Sequence, residues 1–400
     1  MKIIADFHIH SKYSRATSPK MDLEHIFESA KEKGITIVGT GDFTHPEWFN
    51  NLKNKLEPAE KGLYKLKGTD GSVRFIITGE ISNMYKRHGK GRRIHSLIIL
   101  PSLESAEKIN NILSLQGNIK SDGRPILGMD TEELLKIIID VAPKALFIPA
   151  HCMAPWFGVF GSMSGFDSLE EAFGKNAKHI YAMETGLSAD PRMIGRIPDG
   201  RKMTLISNSD AHSPIKLGRE VNVFDTKLSY SAIRNAIIKK DKSKFLNTIE
   251  FFPQEGKYYY DGHRSCDVSM SPKQRKKVKG ICPKCGRKLT VGVLSRVDEL
   301  ADRKDGFVPS GAIPYKSLVP LKEIIAEAIG IGPKTKGVEK QYQMLIQKFS
   351  NEFNILLDVP FKELSKFTLP KIAEGIKRVR SGKLIIEPGY DGKYGKVKIF

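Results

Sequence analysis

The chain has 400 residues, 40% of them apolar, with 65 Lys plus Arg against 45 Asp plus Glu, a formal net charge of +20. That length exceeds one small core and predicts two or three domains. No apolar run reaches the ~20 residues of a membrane span, and the first residues read as a strand, without a cleavable leader, so a cytoplasmic protein is expected. Pairing with acids cannot absorb the excess of cations. It points to a polyanionic partner, nucleic acid ahead of membrane, because no basic amphipathic anchor is evident. Only four cysteines occur, which excludes a secreted disulfide framework.

Residues 1–225 alternate short apolar runs with amphipathic stretches. MKIIADF, ITIVGTGDF, VRFIITGEIS, IHSLIILPS, ALFIPAH, HIYAMETG and MTLISNSDAH are predicted strands. DLEHIFESAKEKG, LESAEKINNILSLQG, DTEELLKIIIDVAPK and SLEEAFGKNA are predicted helices. The alternation argues for an α/β domain with a mostly parallel sheet that can close into a barrel. Its strand ends share a feature: HIH, GD, GE, PAH, ETG and SDAH each place a potential ligand behind an apolar run. Alternate residues of a strand face the same way. His8 and His10 therefore converge, with Asp6 one step behind, and Asp210 and His212 repeat the spacing. Asp42, Glu80, His95 and His151 stand at other strand ends. Carboxylates with imidazoles suit Zn, Mn or Fe, and a glutamate can bridge two ions. Such a cluster supports metal-assisted hydrolysis, most needed for a phosphoester.

Two loops beside these ligands carry further signals. NMYKRHGKGRRIHS holds Lys86, Arg87, Arg92 and Arg93, expected to seat phosphates. APWFGVFGSMSGF follows His151 directly. There Trp156, Phe157 and Phe160 could stack on a base, and Gly158, Gly161 and Gly165 would permit close backbone approach. Residues 226–260 read as a linking helix and an aromatic segment. Residues 261–310 read as a small metal module: His263-x2-Cys266 and Cys282-x2-Cys285 supply four ligands for one closed, structural zinc. Eight basic residues and no acid lie between Ser271 and Lys288, Lys276 and Lys277 among them, and such a loop seats phosphates without reading sequence. Residues 311–400 read as a helical DNA-binding part with terminal strands; its Ile-Gly-Ile-Gly-Pro bend resembles a helix–hairpin–helix turn.

The ordered set DFHIHS, GTGDFTHP, GE, HS, PAH and SDAH resembles the polymerase-and-histidinol-phosphatase (PHP) family over about residues 1–225. The resemblance implies a distorted (β/α) barrel, two to three divalent ions (Zn, Mn, Mg or Fe) and phosphoester hydrolysis. It implies one ion on His8, His10, Glu80 and Asp210, a second on Glu80, His95 and His151, and a third served by His212; Asp210, His212 and Glu80 become the catalytic candidates. The chain departs from the family pattern in two places. Lys12–Arg15 replaces a further histidine, and Gly41-Asp42-Phe43 with His45 replaces Thr-Asp-His. Asp42 is expected to contribute a ligand, with His45 a weaker candidate; Glu184 reads as a ligand or as an orienter of one.

With the zinc module and C-terminal part included, nearly the whole chain resembles the archaeal endonuclease Q family of PHP-type repair enzymes. Those enzymes nick DNA on the 5′ side of deaminated bases (uracil, hypoxanthine, xanthine) and of abasic sites. The resemblance implies a damaged nucleotide flipped into a pocket, damaged DNA as partner, a sliding clamp as a second partner, and a monomer. A histidinol-phosphatase-like small-molecule phosphatase is the alternative, and it leaves the basic modules unexplained.

Overall fold

A computed structural model describes residues 1–400 and gives a mixed α/β fold. The strand Lys2–Asp6 lies inside the main sheet, and its apolar run suits burial on both faces. It pairs in parallel with Ile37–Gly39 (Ala5 opposite Ile37) and antiparallel with Val221–Asp225 (Ala5 opposite Asn222). Ile37–Gly39 runs parallel to the long strand Arg74–Arg87, which returns antiparallel as Lys90–Leu100. His88 and Gly89 link these two with positive φ at both positions (53° and 73°), the geometry that matches the twist of a two-residue hairpin. Lys90–Leu100 pairs antiparallel with Leu146–Pro149. On the other flank Phe245–Glu250 continues from Val221–Asp225, and Tyr315–Ser317 forms the edge.

One expectation is corrected by the sheet. The 11-stranded sheet is mixed rather than mostly parallel, because many of its pairings, between distant segments as well as across the Arg74–Leu100 hairpin, run antiparallel. Closure of the ladders into a barrel is not shown. Ala182–Glu184 and Thr204–Ile206 pair with each other in a separate two-stranded sheet. Single loop bonds, such as Cys152 N–H donating to the Glu184 carbonyl (2.9 Å), join that pair to its neighbours.

The first helix, Leu23–Lys33, buries Leu23, Ile26, Phe27 and Ala30, the i, i+3, i+4, i+7 stripe of an amphipathic helix. Asp22 caps its start by accepting from His25 N–H. Gly34 ends it at φ +83°, where a Cβ would also lie 2.4 Å from Asn351 Oδ1, so glycine is required twice over. The C-terminal helices Leu321–Ile329, Lys336–Phe349 and Pro370–Arg380 share one apolar cluster with this helix. Glu352 pins the junction. Its carboxylate accepts from Leu321 N (2.9 Å), Tyr342 Oη (3.0 Å) and Lys33 Nζ (3.3 Å), and both Glu352 and Lys33 are buried.

Removing one partner of such a pair leaves a buried charge uncompensated. Glu352→Ala is expected to lower unfolding free energy by about 3–5 kcal/mol in a urea titration. Glu107→Ala, which breaks the exposed Lys53 pair, is expected to change it by less than about 1 kcal/mol.

Candidate active site and zinc site

Past Asp6 the first strand runs on through Phe7–His10, held by a bridge between Ile9 and Ala211. That bridge brings the HIH and SDAH segments side by side. His10 Nε2 lies 3.0 Å from Asp210 Oδ1 and 3.3 Å from Glu80 Oε2; His8 Nε2 lies 3.6 Å from Glu80 Oε2 and 3.8 Å from Asp210 Oδ1. Across the hairpin, His95 Nδ1 and His151 Nε2 approach Glu80 Oε1 at 2.7 and 2.9 Å. Glu80 therefore offers one oxygen to each group. The donor atoms of His8, His10, Glu80 and Asp210 lie within 4.8 Å of one another, as do those of Glu80, His95 and His151. Three residues around the cluster turn sharply: Asp42, His151 and Asp210 hold φ of +45°, +30° and +47°. Such conformations cost energy in non-glycine residues and gather at functional sites.

These residues fit metal ions. His8 Nε2 is buried without a hydrogen-bond partner, and two imidazole nitrogens, of His95 and His151, face each other at 3.3 Å. A cation satisfies lone pairs that meet in this way. Burial opposes charge on His8 and His10, yet the surrounding carboxylates (Glu184 and Glu80 for His8; Asp210, Asp42 and Glu80 for His10) hold both well above the usual imidazole range. The pocket thus draws positive charge, whether as protons or as an ion.

The remaining ligand candidates take other places. Glu184 has both oxygens 3.0 Å from His8 Nδ1 and also accepts from Asn208 Nδ2 and His151 N, so it orients His8. Asp42, expected among the ligands, stands behind His10. Its Oδ1 lies 3.1 Å from His10 Nδ1, and its Oδ2 accepts from Ser11 N, Ser11 Oγ and Ser14 Oγ at 2.6–2.8 Å. With both oxygens engaged, Asp42 is an orienter rather than a converging donor. His212 lies outside both donor groups; its ring centre is 4.4 Å from that of His10, and Nδ1 meets the Asp210 carbonyl. His45 stacks on Tyr13 at 4.4 Å, away from the cluster. Asp6 fixes loops instead, accepting from Ser209 N and Gly218 N.

Strand periodicity sorts the loop cations. Lys86 lies on the sheet face of Glu80 and Ser82; Arg93, opposite Met84, shares that face with His95, and both cations are exposed. Arg87 and Arg92 occupy the other face and are braces rather than free phosphate contacts. Arg87 bonds Asp130, Glu132 and the Ala172 carbonyl. Arg92 bonds Glu171 and the Gly165 carbonyl and lies over Phe166 at 3.9 Å. In the aromatic loop, Phe157 packs 4.4 Å from His95 and Trp156 packs 4.8 Å from Tyr258, both half-buried. Phe160 is a correction: at 0% exposure it belongs to the core. The loop glycines are also internal. A Cβ on Gly158, Gly161 or Gly165 would lie 2.3–2.5 Å from backbone atoms of the same loop.

One site residue carried no sequence signal. Arg124 places Nη1 3.0 Å from Glu80 Oε2. A lone arginine in a Gly-Arg-Pro loop resembles any surface turn until the fold brings it to the cluster.

His263, Cys266, Cys282 and Cys285 converge with all ligand atoms within 4.8 Å, as their spacing predicts. The hairpin Asp261–His263/Val268–Met270 presents the first pair, with Asp267 at φ +52°. Burial opposes a thiolate at Cys282, yet the amides of Lys284 and Cys285 bring its pKa below the ordinary value, as suits a ligand. Lys276 and Lys277 are exposed on the adjoining helix Pro272–Lys277, whose start Ser271 and Gln274 cap reciprocally.

Cys282→Ser is expected to abolish one equivalent of bound zinc per chain by elemental analysis and to increase protease sensitivity around residues 261–290. A second expectation concerns pH. Burial raises Glu250 to about 7, against hydroxyl bonds from Ser207, Thr248 and Thr185. The folded state then holds a proton that the unfolded state releases near 4.5. Glu250 thus makes stability fall as pH rises from about 4.5 to about 7 and adds nothing further above that. Glu250→Gln is expected to shrink the stability difference between pH 5 and pH 8 in urea titrations.

A family model described as the MJ0043 C-terminal domain matches residues 320–383. The chain is 37% identical over 255 residues to protein MJ0043 of Methanocaldococcus jannaschii; that match takes in 62% of this chain but spans only 31% of that relative's length. It is 30% identical over 413 residues to YqxK of Bacillus subtilis, covering 99% of both. Among solved structures, the lesion-specific endonuclease PfuEndoQ of Pyrococcus furiosus superposes with a TM-score of 0.88 at 34% identity, over 100% of this chain and 95% of that one. Endonuclease Q in complex with a 27-mer duplex substrate, an abasic lesion at its active site, gives 0.87 at 34% identity over 100% and 97%. Full-length matches at this identity, on a chain with both clusters formed, place it in the endonuclease Q family.

Proposed function

We propose that the chain is a metal-dependent DNA endonuclease that hydrolyses the phosphodiester on the 5′ side of deaminated bases (uracil, hypoxanthine, xanthine) and of abasic sites, acting as a monomer in the cytoplasm. The observation that carries the reading is Glu80, buried and shared between two histidine groups in a chain that aligns end to end with a lesion-specific endonuclease. In this reading His8, His10, Glu80 and Asp210 hold one divalent ion and Glu80, His95 and His151 a second. Ions so held lower the pKa of a bound water and offset charge on the phosphate.

The chain's own residues do the rest. Glu184 and Asp42 fix the ring planes of His8 and His10, so that the donor atoms need not reorganise during the reaction. Asp210 and His212 are partly exposed, and in this reading His212 would exchange a proton with the departing oxygen. Lys86 and Arg93 extend the same sheet face and would seat the backbone, with Lys276 and Lys277 of the zinc module contributing further phosphate contacts. Phe157, against His95, and Trp156 of the same loop, against Tyr258, would be the aromatic surfaces for an extruded nucleotide.

The test uses end-labelled duplexes with one deoxyuridine, one hypoxanthine or one abasic site, with Mg²⁺, Mn²⁺ or Zn²⁺ in turn and EDTA as control. A single cut on the 5′ side of the lesion is expected, falling steeply with salt. Asp210→Asn is expected to slow it at least about 10²-fold. Hydrolysis of small phosphate esters with intact duplexes would move the function to a small-molecule phosphatase.

A further inference from the structure

We propose that Arg124 grips the scissile phosphate: anchored through one N–H on Glu80, it presents the rest of its guanidinium to a non-bridging oxygen. The inference rests on the phosphodiesterase reading above and adds a residue to it.

The loop that carries Arg124 is stitched on both sides. Gly123 N–H donates to the Tyr13 carbonyl (3.0 Å), and Asp122 Oδ1 accepts from Arg124 N (3.0 Å) and Arg15 N (3.3 Å). Ser82 N–H donates to the Pro125 carbonyl (3.0 Å), and Ile126 then pairs with Ser82 in a short parallel ladder. Gly123 has no room for a side chain, since a Cβ would lie 2.2 Å from Asp42 Oδ2. The backbone is thus pressed against the carboxylate that orients His10. That fixes where Arg124 leaves the chain, beside the strand that bears Glu80.

The side chain then reaches a place no other cation occupies. Every other Lys or Arg ion pair in the molecule involves acids outside the two donor groups, whereas Arg124 pairs with the carboxylate common to both. Glu80 is sealed from solvent, but the Arg124 side chain is 25% exposed. Its guanidinium therefore spans the depth between the buried carboxylate and the mouth. Nη1 is its one bonded nitrogen, and none of its nitrogens is both buried and unpaired. The remaining donors of the five-donor fork therefore face solvent. A guanidinium held by one edge, with its other N–H groups open beside a bridging carboxylate, matches the two-point recognition of a phosphate oxyanion. It is always charged, so its contribution does not depend on pH near neutrality.

The competing account makes Arg124 a brace that only neutralises Glu80. The two accounts differ in what a variant loses. Full-length wild type, Arg124→Met and Arg124→Lys are compared for Mn²⁺ bound per chain, for melting temperature, for affinity of the Mn²⁺-loaded protein for inorganic phosphate by calorimetry, and for single-turnover cleavage of an abasic duplex. Expected for Arg124→Met are unchanged metal content and melting temperature, phosphate binding weakened about tenfold or more, and cleavage slowed about 10²–10³-fold. Arg124→Lys is expected to recover part of both, because a point charge cannot make the two-point contact. Phosphate binding equal to wild type in Arg124→Met overturns the proposal. So does loss of bound Mn²⁺ in both variants, which marks a brace. If wild type leaves lesion duplexes intact while Arg124→Met still loses phosphate affinity, the endonuclease reading fails and the grip on phosphate stands.

Discussion

A carboxylate buried between two sets of imidazoles is the constraint on which the rest of the site depends. Glu80 has no water to solvate it, so its charge requires compensation from what surrounds it: His8 and His10 on one oxygen, His95 and His151 on the other, and Arg124 from the solvent side. Each of those groups sits on a different segment, and each segment is held by contacts remote in sequence. The strain at Asp42, His151 and Asp210 follows from this arrangement. A strand that must both end and aim its last side chain inward turns through a conformation that non-glycine residues adopt at a cost, and the surrounding sheet supplies it.

The orienting carboxylates show how the pocket stays rigid. Glu184 and Asp42 are buried acids whose oxygens are fully engaged, one behind each histidine of the HIH segment. They set which ring nitrogen faces the cluster. Ser11 and Ser14 supply hydroxyls to Asp42, so small polar residues directly after the HIH segment hold a carboxylate in place. Glu220 and Glu250 lie in the same interior. Burial raises both; the charge of Glu250 raises Glu220 further, and that of Asp190 raises Glu250, so that protons balance this second pair of acids.

Cations are divided by the same economy of burial. Arg87, Arg92, Arg196 and Arg296 are internal ties. Arg296 bonds the Phe160 and Phe166 carbonyls and Asp167, and Arg196 bonds Asp298, so the segment after Cys285 is joined to the loop beside His151. Lys86, Arg93, Lys276 and Lys277 stay exposed. Exposed lysines and arginines such as these carry part of the net charge of +20, while the four tied guanidiniums face inward.

The sequence by itself determined the ligands whose geometry is local. His8 and His10 share a strand face because alternate residues must, and the two x2 pairs of the Cys/His cluster converge because a tight turn brings such residues together. It also supplied the mixed α/β character, since apolar runs and amphipathic stretches are properties of short windows. Tertiary structure alone decided the rest. Whether the sheet closes depends on pairings between segments far apart, and here the Ala182–Glu184 and Thr204–Ile206 pair stays out of the main ladder. Asp42 and Asp210 look alike in sequence, each behind an apolar run, but Ser11 and Ser14 claim the second oxygen of Asp42, whereas Asp210 turns toward the imidazoles of His8 and His10. Arg87 and Arg93 belong to one basic loop, yet the twofold period of a hairpin whose register is set by its turn sends one inward and the other outward. Arg124 had no local mark at all. Its role follows from a glycine pressed against a carboxylate 81 positions away, a contact that no short window of sequence contains.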